Sequence, residues 1–129
     1  MSHHFTCRVY YEDTDLAGIV YYANYLRFIE RARTEYVRTL GIDQGALKSE
    51  RGLVFAVRRV EADYIAPAHF DDVLDITTTL AAISGAQITL DQQISRGQML
   101  LFSARVTLVT LGAKGRPARL PAELRQALG

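Results

Sequence analysis

The chain has 129 residues, 49% hydrophobic and 22% charged, which suits one globular domain over residues 1–129 and leaves little room for a second. Fifteen Lys/Arg against fourteen Asp/Glu give a formal net charge of +1, which excludes a general attraction to nucleic acid or to an acidic membrane surface. The single cysteine, Cys7, excludes an internal disulfide and fits a reducing compartment.

Residues 1–6 hold no apolar stretch of the kind a signal peptide needs, and no apolar run approaches the length of a membrane span. A cytoplasmic location without a membrane span is the expectation.

Residues 5–12 are rich in β-branched and aromatic side chains and predict a first strand. Asp13-Thr14-Asp15-Leu16-Ala17-Gly18 is turn chemistry. A helix follows. Tyr25, Phe28, Ile29, Ala32 and Tyr36 fall at offsets of 3, 4, 7 and 11, one apolar stripe. Asn24 is its expected cap and Gly41 its expected stop. Arg31, Arg33 and Arg38 read as a solvated face, with Glu30–Arg33 and Glu35–Arg38 as i,i+3 pairs.

Four more strands are expected. In residues 54–64 one face reads Val54, Ala56, Val60, Ala62 and Tyr64, interrupted at Arg58. Residues 73–83 alternate Leu74, Ile76 and Leu80 against Asp75, Thr77 and Thr79; Ile88, Leu90 and Ile94 alternate likewise. Residues 99–111 are nearly continuously apolar, as a strand inside a sheet would be. Ser84-Gly85 and Arg96-Gly97 mark hairpins between these strands, and residues 121–128 predict a short final helix. The fold class is α+β: an antiparallel sheet with one face covered by a single long helix.

Glu12, Asp13 and Asp15 crowd three carboxylates before a glycine turn and a helix start. A helix amino terminus offers unpaired N–H groups and favours negative charge, so a carboxylate there can be a base or nucleophile beside an oxyanion site. Acidic residues before a helix also serve as caps and turn formers; local pattern alone favours that plainer role, and spacing alone does not decide it. His3, His4 and His69 show no metal-ligand spacing with one another or with Cys7, so no metal is expected. No nucleophile elbow, Walker loop or dinucleotide fingerprint is present, and no cofactor is expected.

The run Arg8-Val9-Tyr10-Tyr11-Glu12-Asp13-Thr14-Asp15-Leu16-Ala17-Gly18-Ile19-Val20-Tyr21-Tyr22 resembles the signature of the 4-hydroxybenzoyl-CoA thioesterase superfamily. Its continuation, Phe28-Ile29-Glu30-Arg31-Ala32-Arg33-Thr34-Glu35, resembles the Tol-Pal-associated acyl-CoA thioesterases, as do Tyr64-Ile65-Ala66-Pro67-Ala68 and Arg116-Pro117-Ala118-Arg119-Leu120-Pro121. The resemblance implies a hotdog fold, with a sheet wrapped around one long helix. It implies hydrolysis of an acyl-CoA, or of an acyl carrier protein thioester, to acid and thiol. Coenzyme A then belongs to the substrate and is no cofactor.

The resemblance also implies a homodimer, assembled further into a homotetramer, with sites at the subunit interface. By motif, Asp15 corresponds to the catalytic carboxylate, as nucleophile or as general base. The Tyr22 backbone N–H corresponds to the donor that polarises the thioester carbonyl. Gly18, Val20 and Tyr21 belong to the helix entry against the substrate. Glu30 stands where the hydroxybenzoyl enzymes place an acid against the substrate ring, and Phe55 and Val57 are expected along the acyl group. Many Tol-Pal-associated members carry histidine where this chain has Tyr22. The basic run that hydroxybenzoyl enzymes have near Ser84-Gly85-Ala86 is missing here. A hydratase and a non-catalytic module binding acyl thioesters or acyl carrier protein are the alternatives from other classes.

Overall fold

A computed structural model describes residues 2–129. Five strands form one antiparallel sheet: β1 (Ser2–Arg8), β2 (Val54–Tyr64), β3 (Val73–Ser84), β4 (Gln87–Arg96) and β5 (Met99–Leu111), ordered β1-β3-β4-β5-β2. Three helices accompany them: α1 (Tyr22–Thr39), α2 (Gln44–Arg51) and α3 (Ala122–Leu128). This is the expected α+β hotdog architecture, with α1 packed against β1, β3 and β4.

The apolar stripe of α1 explains the packing. Tyr25, Phe28, Ile29, Ala32 and Tyr36 are all buried, and they meet Leu74 and Ile76 of β3, Leu90 and Ile94 of β4, and Phe102 and Val106 of β5 in one cluster. Fully burying one such large side chain contributes about 1.5–3 kcal/mol, so α1 is held chiefly by this stripe. Gly41, at φ +83°, turns the chain after Leu40 in the left-handed region that glycine enters without strain. The face of the sheet turned from α1 is polar, where Asp91 of β4 takes a two-pronged bond from Arg105 of β5 at 2.8 and 3.0 Å.

Four expectations change. The first strand covers Ser2–Arg8, and Tyr11–Asp13 form a 3-10 turn, because Asp13 reaches back to the Tyr10 N–H at 2.8 Å and ends extended pairing. Helix α2 escaped the sequence reading, although Asp43 caps it by accepting the Ala46 N–H and Gly52 closes it in the left-handed region. Asn24 is no cap: α1 begins at Tyr22, and Asn24 lies buried inside the first turn.

The fourth change concerns β2. Its register against β5 shifts between Val57 and Arg59, which leaves Arg58 as the extra residue of a β-bulge. Side chains alternate with period two, so one extra residue switches the phase. Phe55 and Val57 pair with Thr110 and Leu108, while Val60, Ala62 and Tyr64 pair with Val106, Ala104 and Phe102. Those β5 partners are buried on the α1 side, so the inward set of β2 is Phe55, Val57, Val60, Ala62 and Tyr64. Val54 and Ala56 face the other way.

β2 is also a sheet edge, long, with exposed valines beside the charged Arg58, Arg59, Glu61 and Asp63. Val54, Val57 and Val60 are 37%, 48% and 39% exposed beside a row of main-chain groups with no further strand to meet among the described residues. No helix among the described residues is long and apolar enough to cross a membrane.

Candidate active site

The loop between β1 and α1 is built by its own main chain. After the 3-10 turn, Thr14 bridges Val20, and the Asp15 N–H donates to the Ile19 carbonyl at 3.0 Å. The turn closes when the Gly18 N–H donates to the Asp15 carbonyl at 2.9 Å. Gly18 sits at φ +81°, a conformation that costs an L-residue about 1–2 kcal/mol. A second segment holds the loop from outside: Val20 donates to the Ala68 carbonyl at 2.9 Å, and Ile19 bridges His69.

Asp15 lies exposed in this turn, with Oδ1 accepting the Ala17 N–H at 2.9 Å. The turn-forming role weighed from sequence is therefore real, and it takes one carboxylate oxygen. Oδ2 meets no donor among the described residues. The bond fixes the side chain and leaves the second oxygen open toward solvent.

Asp13 serves differently. Its carbonyl accepts the Tyr21 N–H and the Asn24 side-chain amide, each at 2.9 Å. Buried Asn24 thereby ties the Asp13–Asp15 turn to the first turn of α1. This positioning residue was missed because Asn before an apolar run reads as a cap.

The start of α1 has no side-chain cap: Tyr21 occupies the N-cap position and its phenol bonds no helix N–H. The first N–H groups of a helix have no partner inside it, so the Tyr22 N–H stays an open donor at the positive end of the helix dipole. The Tyr22 carbonyl is held from behind by the Tyr64 hydroxyl at 2.9 Å. Burial pushes the Tyr64 phenol above its ordinary value, and the nearby Tyr22 and Tyr25 add to this, which keeps it a donor at neutral pH. Exposed Tyr21 and Tyr22 stack edge to face at 5.0 Å across the helix entry.

Asp15, Gly18, Tyr21 and Tyr22 are thus gathered at one place. The Val20 side chain is buried in the core, so it is the main chain of Val20 that lies at the turn. Glu30, Phe55 and Val57 come together elsewhere, in a pocket of about 160 Å³ between the middle of α1 and β2, with Arg33, Val37 and Leu108 among its walls. The β2 bulge is what aims Phe55 and Val57 into it. At a rise of about 1.5 Å per residue, Glu30 lies roughly 12 Å along α1 from Tyr22, so the two groups of residues lie apart within the chain.

The helix face also departs from expectation. Glu35 and Arg38 form their pair at 2.6 Å, but Glu30 instead accepts the Thr34 hydroxyl at 3.2 Å and Arg33 turns inward to Gln92. Cys7 is half-buried in β1, and burial pushes its thiol up despite nearby Arg31, with Asp13 adding to the rise; it is poorly suited to attack as a thiolate. No group of three potential metal ligands gathers among the described residues.

Comparison with known proteins agrees with this architecture. A family model described as the thioesterase-like superfamily matches residues 9–128. An acyl-CoA thioesterase, YbgC, of Haemophilus influenzae is 44% identical over 125 residues, 95% of this chain and 91% of that protein. The crystal structure of a probable thioesterase from Bartonella henselae superposes with a TM-score of 0.90 at 38% identity, covering 94% of this chain and all of the other. A mutant 4-hydroxybenzoyl-CoA thioesterase in complex with 4-hydroxybenzoyl-CoA superposes with a TM-score of 0.93 at 26% identity, covering 99% of each chain. On the family match and the identity to YbgC, the chain belongs to the thioesterase-like superfamily, in the branch of the YbgC acyl-CoA thioesterases.

Proposed function

We propose that the protein hydrolyses acyl-CoA thioesters to free acid and CoA at the Asp15 turn, with the Tyr22 backbone N–H polarising the thioester carbonyl. The observation that carries this reading is the meeting of an uncapped helix start with a carboxylate that keeps one oxygen free. A carbonyl oxygen seated on the Tyr22 N–H gains its strongest interaction when it becomes an oxyanion. One such donor is worth about 3–4 kcal/mol to the transition state.

Asp15 then acts in one of two ways. As general base it takes a proton from water while the water oxygen attacks the acyl carbon. As nucleophile it attacks that carbon itself, and water later cleaves the anhydride. In both, the C–S bond breaks, sulfur takes the electron pair, and CoA leaves to be protonated as the thiol. An acyl carrier protein thioester presents the same reacting group and is the second substrate to try.

The two halves of the site meet in a dimer. Pairing the free β2 edge with its copy about a two-fold normal to the sheet reverses every direction in the sheet plane, so the two α1 helices run antiparallel. The Asp15 turn of one subunit is then carried toward the Glu30, Phe55 and Val57 pocket of the other, which receives the acyl group. A tetramer of two such dimers is the expected assembly.

The test is thiol release from short, long and aromatic acyl-CoAs by wild type and Asp15→Asn, on protein whose mass is measured by sedimentation. The expected result is a dimer or tetramer whose turnover falls at least about a thousandfold in the mutant at unchanged melting temperature. Most of the activity surviving in Asp15→Asn would sink the assignment, and a fully active monomer would sink the shared site.

A further inference from the structure

A single side-chain hydroxyl ties the start of α1 to the sheet. Tyr64, the last residue of β2, donates through its phenol to the Tyr22 carbonyl at 2.9 Å. Among the described residues this is the one hydrogen bond between residues 21–24 and a strand. The other bonds there are local. The Asn24 N–H donates to the Tyr21 carbonyl at 2.8 Å, and the Asp13 carbonyl accepts the Tyr21 N–H and the Asn24 amide. Those contacts hold the turn to its own loop, whereas Tyr64 holds it to the sheet.

Tyr64 is firmly seated for this task. Its main chain pairs with Phe102 of β5, and the Ile65 and Ala66 N–H groups that follow donate to the Leu101 carbonyl at 2.9 and 3.1 Å. Its ring packs edge to face on Tyr25 at 5.3 Å and on Phe102 at 4.9 Å, both of them buried. The hydroxyl thus arrives from a rigid side, while the helix start that it meets has no side-chain cap. Helix ends fray unless something holds them.

A peptide plane lies on each side of the Tyr22 Cα. The Asn24 N–H holds the first plane by the Tyr21 carbonyl, and Tyr64 holds the second by the Tyr22 carbonyl. With both planes held, the two soft dihedrals of Tyr22 are set, and with them the direction of its N–H. The second plane also carries the Ala23 N–H. Neither this N–H nor that of Tyr22 meets a protein acceptor among the described residues. A donor on the carbonyl of a peptide polarises it and strengthens its own N–H.

We propose that Tyr64 is a positioning residue, whose hydroxyl holds the Tyr22–Ala23 peptide so that both open N–H groups bear on the thioester oxygen as it gains charge. This rests on the hydrolase reading above. Tyr64 touches no reacting atom and acts through the main chain. A thioester oxygen accepts weakly and an oxyanion strongly, so misplaced donors slow the chemical step more than they weaken binding.

The experiment removes the hydroxyl alone in Tyr64→Phe, and hydroxyl and ring together in Tyr64→Leu. Both are compared with wild type on hexanoyl-CoA and benzoyl-CoA, with melting temperature and sedimentation measured alongside. Tyr64→Phe should lose at least about tenfold in kcat on both substrates, with KM within about twofold and the melting temperature nearly unchanged. Tyr64→Leu should lose as much in kcat and also melt lower, which separates the hydroxyl from the ring. A spectroscopic arm reads the donors themselves: the carbonyl stretch of benzoyl-CoA, labelled with carbon-13 at the thioester carbon, bound to Asp15→Asn. It should lie below its free-solution position, and adding Tyr64→Phe should return it part of the way. A hydroxyl that only braces the fold does not move that band.

Full kcat in Tyr64→Phe, or a carbonyl band that stays where it was, overturns the inference while leaving the hydrolase intact. A fall in melting temperature at unchanged kcat makes the bond a brace of the fold, and loss of the dimer makes it a subunit contact; either result overturns it too. Silence of folded wild type toward every thioester overturns the hydrolase reading and this inference with it.

Discussion

At its amino-terminal end α1 is held chiefly by main-chain hydrogen bonds, helped by the Asn24 amide and the Tyr64 hydroxyl, and the side chains of Tyr21 and Tyr22 stand in solvent. About two turns further along, the same helix is held by side chains: Phe28, Ile29 and Ala32 in the core, and Arg33 anchored on buried Gln92. The first region depends on side chains at few positions, Asn24 and Tyr64 among them, because backbone groups supply most of its scaffold and its open donor. The second depends on the volume and hydrogen-bonding pattern of each residue. One helix thus has an end whose geometry rests mostly on main chain and a middle whose geometry rests on side chains.

The comparison can be broken hardest at Phe28, which is fully buried and belongs to the side-chain region. Phe28→Ala should cost about 3–5 kcal/mol of stability, read as a shift in urea midpoint at constant slope. A shift of a few tenths of a kcal/mol would show that the core does not hold α1 as described.

Asn24 joins the two regions, being a side chain that clamps a main-chain loop. Asn24→Ala leaves the Asp13 carbonyl with one donor and should cost about 1–3 kcal/mol. Because the Asp15 turn is released with it, kcat should fall on every substrate alike, with no change in the preference between acyl groups. A change in preference without a fall in kcat would move Asn24 from the loop's account to the pocket's.

The smallest effect is expected at Asp72, which braces the segment behind the loop by accepting the His69 N–H at 2.8 Å and Arg96 at 2.7 Å. Burial alone would raise its carboxyl, but these bonds win and hold it below its ordinary value. A carboxylate depressed in the folded state contributes stability above its unfolded value, and that contribution is lost as pH falls through the folded one. Wild type should therefore melt slightly above Asp72→Asn at pH 7, and the two curves should converge below the usual carboxylate range. A gap of equal size throughout would point to packing instead of charge.

Much of this was readable in the sequence, and the failures share a cause. The stripe from Tyr25 to Tyr36 is a local pattern, and all five positions are buried as read. The motif at Asp15 was local too, and the resemblance it carried led to the right fold and family. The order β1-β3-β4-β5-β2 was not legible, since it depends on pairings across long stretches of chain. Arg33 was read as solvated because a helical wheel cannot know that β4 presents a buried glutamine opposite it. Asn24 was read as a cap because the sequence does not reveal that the chain enters α1 at Tyr22 with its cap position left to a tyrosine. Arg58 was visible as an interruption, but its meaning as a phase switch needed the partner strand.

That switch has a consequence for how such a pocket can diverge. With Arg58 present, Phe55 and Val57 fill the wall beside α1, while Val54 and Ala56 look outward. Were the bulge flattened, with Arg58 taken into the ladder opposite Leu108, Val60, Ala62 and Tyr64 would stay where they are while Arg58, Ala56 and Val54 turned to the wall in place of Val57 and Phe55. An arginine would then stand where Val57 does. The one extra residue in this way keeps a charge off that wall, without touching the loop that carries Asp15.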